Sequence, residues 1–349
     1  MKNRLYYLDM AKAIAMLSVV FGHVLLFVLY GSKHLHSSLL MSFVNSYQLP
    51  LFFFVAGIVS ITSIEWTQIP SDIYKRFRQL IVPALSIGLF NIYLSGHTAV
   101  EYIFDFWKWG YWYLYVQFEL YIISYAFALL EVIGKKKSID VVLVVLIPIW
   151  IYVYRHLYLI PTMIDDLFCI SHLIQFLPFF LLGNYIKRRS LHNVFFSGVR
   201  SCLFVFIAFI VSSVLLYGFG QFIADYSKND EGFLLHLYQV FWDCISLVSK
   251  FFLIIFIVAF CKVVLQKRNY HILICIGQNT LYIYVFHYFI LQWGGQLRLT
   301  EWYYVYGNLL LDILVGVIIT FAAVLFSLTV KQLLVRVPIL MKLLFYKTI

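Results

Sequence analysis

The sequence predicts an all-α, polytopic membrane protein of about ten transmembrane helices, organised as one domain over residues 1–349 with both termini in the cytoplasm. Three observations predict it. The chain is 63% hydrophobic and only 12% charged, with a mean hydropathy of +0.89, whereas soluble domains carry about a quarter of their residues as charges. Apolar runs of membrane-spanning length recur from end to end. Lys and Arg gather in short clusters between alternate runs, as they do in cytoplasmic loops.

The first run covers about 7–30, and the polar turn GSKHLHSS leads from it into a second at about 43–63, whose Pro50 and Gly57 suggest a kink and a close helix contact. The basic stretch EWTQIPSDIYKRFRQ precedes a third run at about 79–96, and seven more follow at about 112–133, 140–155, 170–186, 201–222, 238–265, 272–293 and 307–334. Charge tests this order independently. One side collects Lys2 and Arg4, then Lys75, Arg76 and Arg78, Lys135 to Lys137, Lys187 to Arg189 with Arg200, Lys262 with Lys267 and Arg268, and finally Lys331, Arg336, Lys342 and Lys347. The other holds single basic residues, Lys33, Lys108, Arg155, Lys228 and Arg298. The net charge of +10 therefore reports topology, and nucleic-acid binding is excluded.

No small-residue cleavage site follows Val24, so the first run is expected to stay attached. The five cysteines have no metal-ligand or CxxC spacing and are read as packing residues; no metal site is expected. No internal repeat or linker divides the chain. Aromatic clusters at 106–115 (FWKWGYWYLY) and 301–306 (EWYYVY) are read as an interfacial belt in contact with membrane lipids, not as a substrate box.

The first helix carries Asp9, Lys12 and His23, and ionisable groups within a span are functional candidates by default. Lys12 and His23 are eleven residues apart, about three turns, so they leave the helix on nearly one face with roughly 16 Å between their backbones. They are expected to line one cavity wall without touching. Asp9, one turn before Lys12, is placed to pair with it.

A lysine, ten intervening residues and a histidine within LDMAKAIAMLSVVFGH, followed by PLFFFVAG at 50–57, YKRFRQLIVP at 74–83, FLPFFLLGNYI at 176–186 and IGQNTLYIYVFH at 276–287, together resemble the acyltransferase-3 superfamily of integral membrane O-acyltransferases. Two features depart from that pattern. Lys12 stands where arginine is common, which keeps the charge but not the bidentate fork, and the family's Arg-x-x-Arg finds its nearest match from Lys75 to Arg78. The chain ends shortly after its last run, so the membrane domain alone is expected to complete acylation, without an appended esterase-like domain.

The resemblance implies acyl transfer, with acyl-coenzyme A, usually acetyl-coenzyme A, as a co-substrate rather than a bound cofactor, and a sugar hydroxyl of a cell-surface or lipid-linked glycan as acceptor. Such chemistry needs a base for the hydroxyl proton and a group to stabilise the oxyanion. His23 is the candidate base, since imidazole titrates near neutrality; the plain alternative is an interhelical bond. Lys12 is expected at the donor's phosphates or carbonyl, and one or more of Lys75, Arg76 and Arg78 at its phosphates. Glu119 is the candidate to orient a histidine or bind hydroxyls, and Asn45, Gln48 and His287 are candidates for the acceptor. Lys250 with Asp243, and Asp312, are read as a structural charge network.

His23 lies about 24 Å along the first helix from Tyr7, past the middle of a hydrocarbon layer about 30 Å thick, so the base is expected nearer the outer face. The expected function is a membrane O-acetyltransferase of the bacterial inner membrane. The rival expectation is a transporter or flippase for a glycan or organic acid with Lys12 and His23 as a relay, and a third is a structural partner in polysaccharide assembly.

Overall fold

Within a bilayer a helix satisfies its own backbone, and side-chain packing decides which helices meet. The computed structural model describes residues 4–30, 39–60, 66–133, 150, 160–226, 233–266, 270–294 and 308–345, and among these the chain is helical with no strand. In chain order the helices are α1 (Tyr6–Val24, continuing as a π-helical turn Leu25–Tyr30), α2 (Leu39–Val59), α3 (Ile69–Leu94), α4 (Ala99–Ile103) and a 3-10 turn (Lys108–Gly110). Then come α5 (Trp112–Ile133), α6 (Thr162–Phe168), α7 (Ile170–Arg188), α8 (His192–Phe195), α9 (Val199–Tyr226), α10 (Phe233–Leu265), α11 (His271–Gln278), α12 (Thr280–Gly294), α13 (Leu309–Val335) and α14 (Pro338–Phe345).

Six of them, α1, α2, α3, α9, α10 and α13, are long and apolar enough to cross a membrane. Two broken pairs, α6–α7 bent by 53° and α11–α12 bent by 78°, bring the number to as many as eight. Of the ten runs expected, 112–133 forms the 22-residue α5 outside that set, and 140–155 lies outside the described residues except for Trp150.

Helix α1 is the central post, packed against α2, α10, α11, α12 and α13. Its sequence explains this. Ala11, Ala13 and Ala15 are fully buried, and small side chains let neighbouring backbones approach. Ser18 bonds both Ile14 O and the Tyr47 hydroxyl, the latter at 2.8 Å, which ties α1 to α2. The α2–α7 crossing is tighter still: a methyl on Gly57 would lie 2.0 Å from Phe180 O, and one on Gly183 would lie 2.1 Å from Phe54 O. The close contact expected at Gly57 is thus made to the backbone of α7, where Gly183 makes the reciprocal approach to α2. By contrast α9 packs on α10 and turns Phe204, Val214 and Tyr217 outward, as a lipid-facing helix does.

Between α3 and α5 the chain is exposed over 95–101 and then anchors inward through Tyr102 and Lys108. Thr98 caps α4, the Tyr102 hydroxyl donates to Ala84 O at 2.8 Å, and Lys108 is 1% exposed with its ammonium donating to the carbonyls of Ile103 and Asp166. Lys108 and Trp109 have φ of 45° and 49°, a left-handed pair that reverses the chain before Gly110 at φ 90°. The reading of 106–115 as a lipid-facing belt is corrected here. Tyr111 is fully buried and Trp112 is 8% exposed, because the reversed turn carries them into the helix bundle. The second cluster, 301–306, lies outside the described residues.

Candidate active site

A cavity of about 990 Å³ opens beside α1. Its wall includes His23 from α1, Asn45 and Gln48 from α2, Asp105, Trp107 and Trp109 from the inward fold, Trp112 from α5, His172 and Gln175 from α7, Asp243, Ser246 and Lys250 from α10, and Tyr288 from α12.

His23 meets His287 of α12. Their rings are within 8° of parallel, with His23 Nδ1 2.8 Å from His287 Nε2, and His287 Nδ1 is 2.8 Å from Ile283 O. The chain of bonds assigns the protons. A carbonyl only accepts, so His287 Nδ1 carries hydrogen; neutral His287 then accepts at Nε2, and His23 Nδ1 must donate. His23 Nε2 is left with its lone pair free at the cavity, with no hydrogen-bond partner among the described residues. Phe27 and Tyr288 flank the ring at 5.7 and 5.6 Å.

The inward turn locks this pair in place. The Tyr284 hydroxyl donates to Gly110 O at 2.5 Å and the Tyr111 hydroxyl donates to Val285 O at 3.2 Å, clamping residues 110–111 onto the turn of α12 before His287. Gly110 is required there: its φ is positive, and an added methyl would lie 2.4 Å from the Tyr288 ring.

Gln48 donates its amide N–H to Asn45 Oδ1 at 2.6 Å, and a methyl on Gly22 would lie 3.2 Å from Gln48 Oε1, so this amide rests against the turn of α1 that carries His23. Asn45 and Gln48 therefore share the cavity with His23. His287 stands behind His23 and is fully buried, not on the described wall.

The other expected site residues lie elsewhere. Lys12 pairs with Asp9 at 2.7 Å, as its spacing implied, while Arg4 holds the other oxygen of the same carboxylate at 2.7 Å; Lys12 is not on the cavity wall. Glu119 sits on α5 with Oε2 unbonded among the described residues and the Lys108 ammonium as a nearby charge. In the basic segment of α3, Lys75 is exposed, the Arg76 guanidinium lies 4.3 Å over the Tyr121 ring, and Arg78 donates to Lys342 O of α14 at 3.4 Å.

The sequence reading passed over His172, Gln175, Asp105 and the tryptophans, and it took Asp243 and Lys250 as structural. Both α10 residues face the cavity, seven positions and so about two turns apart on one face. Lys250 is the one Lys or Arg on the described wall. Lys262, on the same helix, lies 5.6 Å over the Tyr7 ring at the start of α1. Counting back along α10 puts Lys250 about 18 Å and Asp243 about 28 Å from that level, either side of His23 at about 24 Å.

A family model described as "Acyltransferase domain" matches residues 5–331. Comparison with curated proteins and with solved structures returned no match.

Proposed function

The chain belongs to the acyltransferase-3 family and is a membrane acyltransferase, and on that premise we propose that it moves an acetyl group from acetyl-coenzyme A to a sugar hydroxyl of a cell-surface or lipid-linked glycan, in the bacterial inner membrane. The observation that carries the reading is the free Nε2 of His23 on the cavity, with its tautomer set by His287.

In this scheme the acceptor hydroxyl gives its proton to His23 Nε2 as its oxygen bonds to the thioester carbon. The positive charge on the imidazole is shared through the bond to His287. Charge on the carbonyl oxygen is met by Lys250, the cation at cavity depth, since Lys12 stands about three turns away along α1. Collapse breaks the carbon–sulfur bond, and His23 returns its proton to the departing thiolate. Lys250 keeps its protons throughout.

The donor's phosphates would meet the basic side that carries Lys75, Arg76 and Arg78 and that the charge bias assigns to the cytoplasm. The acceptor would come from the opposite side, so acyl transfer would cross the bilayer.

The test is thiol release. Purified protein with acetyl-coenzyme A and a glycan extract should liberate free coenzyme A and acetylate the glycan, and His23→Ala should stop both while leaving the protein folded. Transport of solute across vesicles with no thiol release would overturn the reading in favour of a carrier.

A further inference from the structure

Two buried polar atoms of cavity-lining side chains make no hydrogen bond among the described residues. His172 is 5% exposed and its Nε2 is unpartnered, while its ring interacts with Gln175 one turn along α7. Gln48 is 8% exposed and its Oε1 is unpartnered, its amide N–H being spent on Asn45. A buried donor or acceptor left unmade is costly to the fold. Both side chains line one cavity with these two atoms covered, and a modest turn of either side chain brings its atom to a ligand there.

The aromatic frame narrows the ligand. The His172 ring is stacked on Trp112 at 4.0 Å and 24°, and is flanked by Phe106 at 4.3 Å and Trp107 at 4.9 Å. None of these rings is among those around His23. Trp112 fixes the imidazole, while Trp107, 56% exposed, lines the cavity with its indole. The ligand must therefore offer an apolar face to an indole and hydroxyl-type hydrogens at its edge. Gln48 Oε1 can only accept, and a hydroxyl serves either tautomer of His172.

We infer that the wall formed by His172, Trp107 and Gln48 seats a pyranose ring of the acceptor, with Trp107 under its C–H face and His172 and Gln48 on two of its hydroxyls; this rests on the acyltransferase reading above. A cavity of about 990 Å³ is at the upper end for small-molecule sites. It holds this ring together with the donor's thioester end at His23. The donor's adenine is the competing flat ligand, and depth disfavours it. His172 lies fifteen residues before Lys187 on α7, about 22 Å from the basic face and level with His23. A donor whose thioester reaches His23 leaves its nucleotide at the other end.

The test uses the full-length protein in lipid nanodiscs, free of glycoside detergents, which are themselves sugars. Oligosaccharides released by mild acid from the surface glycan of cells lacking the protein are titrated calorimetrically, with and without acetyl-coenzyme A. Wild type should bind them. His172→Phe keeps the ring and loses the nitrogens, and it should weaken binding about tenfold, the equivalent of one lost hydrogen bond. In turnover it should raise the oligosaccharide KM with kcat within threefold and the acetyl-coenzyme A KM unchanged. Gln48→Met should behave likewise, and supplies the answer if His172→Phe does not fold.

Wild-type affinity in both folded variants, a rise in the acetyl-coenzyme A KM instead, or mutual displacement of oligosaccharide and acetyl-coenzyme A would each overturn the subsite. Wild type that releases thiol but binds no oligosaccharide overturns it too. Wild type that binds the oligosaccharide and never releases thiol keeps the subsite and removes the acyl-transfer reading.

Discussion

His23 Nδ1 lies 2.8 Å from His287 Nε2 across two helices that are 264 residues apart in sequence. The second histidine is not itself on the described cavity wall, yet it decides which nitrogen of the first can take a proton. His287→Phe should lower kcat by about 10²-fold with both KM values near wild type, because the base loses its orientation but not its place. Steady-state kinetics on the two substrates check this. Unchanged kcat would mean that the pair is only interhelical glue.

Lys250→Met tests the assignment of the oxyanion. Losing the one cation on the described wall should cost about 10²–10³ in kcat, the range seen when an oxyanion donor is removed. Lys250→Arg should recover part of it. A loss confined to the acceptor KM would move Lys250 from the reacting carbonyl to the sugar.

Gly110→Ala puts a methyl 2.4 Å from the Tyr288 ring at a residue held at φ 90°. The conformation alone costs about 1–2 kcal/mol, and the clash adds to it. A lowered thermal midpoint and reduced turnover are expected together, since Gly110 O also anchors Tyr284 beside the His287 turn. A midpoint equal to wild type would show that the turn yields freely.

Burial pushes the Lys108 ammonium below the ordinary lysine range, against the pull of Cys169, Asp105, Asp166 and Glu119. The unfolded chain therefore holds that proton to higher pH than the folded one, and stability gains as pH rises between the two values, up to about 10.4. Lys108→Met should remove this slope and lower stability at every pH, because the Ile103 and Asp166 carbonyls lose their donor. Thermal unfolding from pH 8 to 10.5 compares the slopes, and equal slopes would refute the assignment.

The sequence made α1 legible because its exceptions are chemical. Charges in an apolar run stand out, so the Asp9–Lys12 pair and His23 could be read from spacing alone. Gly57 was visible for a related reason, a missing side chain where every neighbour is large. The wall opposite was not legible. His172, Asp243 and Lys250 sit in helices apolar on all sides, where no periodicity separates a cavity face from a lipid face. Trp107 to Trp112 read as a surface belt because aromatic residues suit a headgroup layer and a binding site equally well. What turns Tyr111 and Trp112 inward is a left-handed reversal at Lys108 and Trp109, a conformation neither residue type advertises.

The inward fold also gives the protein its own optical reporter. The chain has eight tryptophans, and Trp107, Trp109, Trp112, Trp150 and Trp242 all border the cavity described above. Five of the eight indoles therefore stand around the place where substrates are proposed to meet. Filling or drying that space should shift the wavelength and intensity of their ultraviolet emission, so occupancy can be followed in unlabelled protein, in real time, before any product is identified.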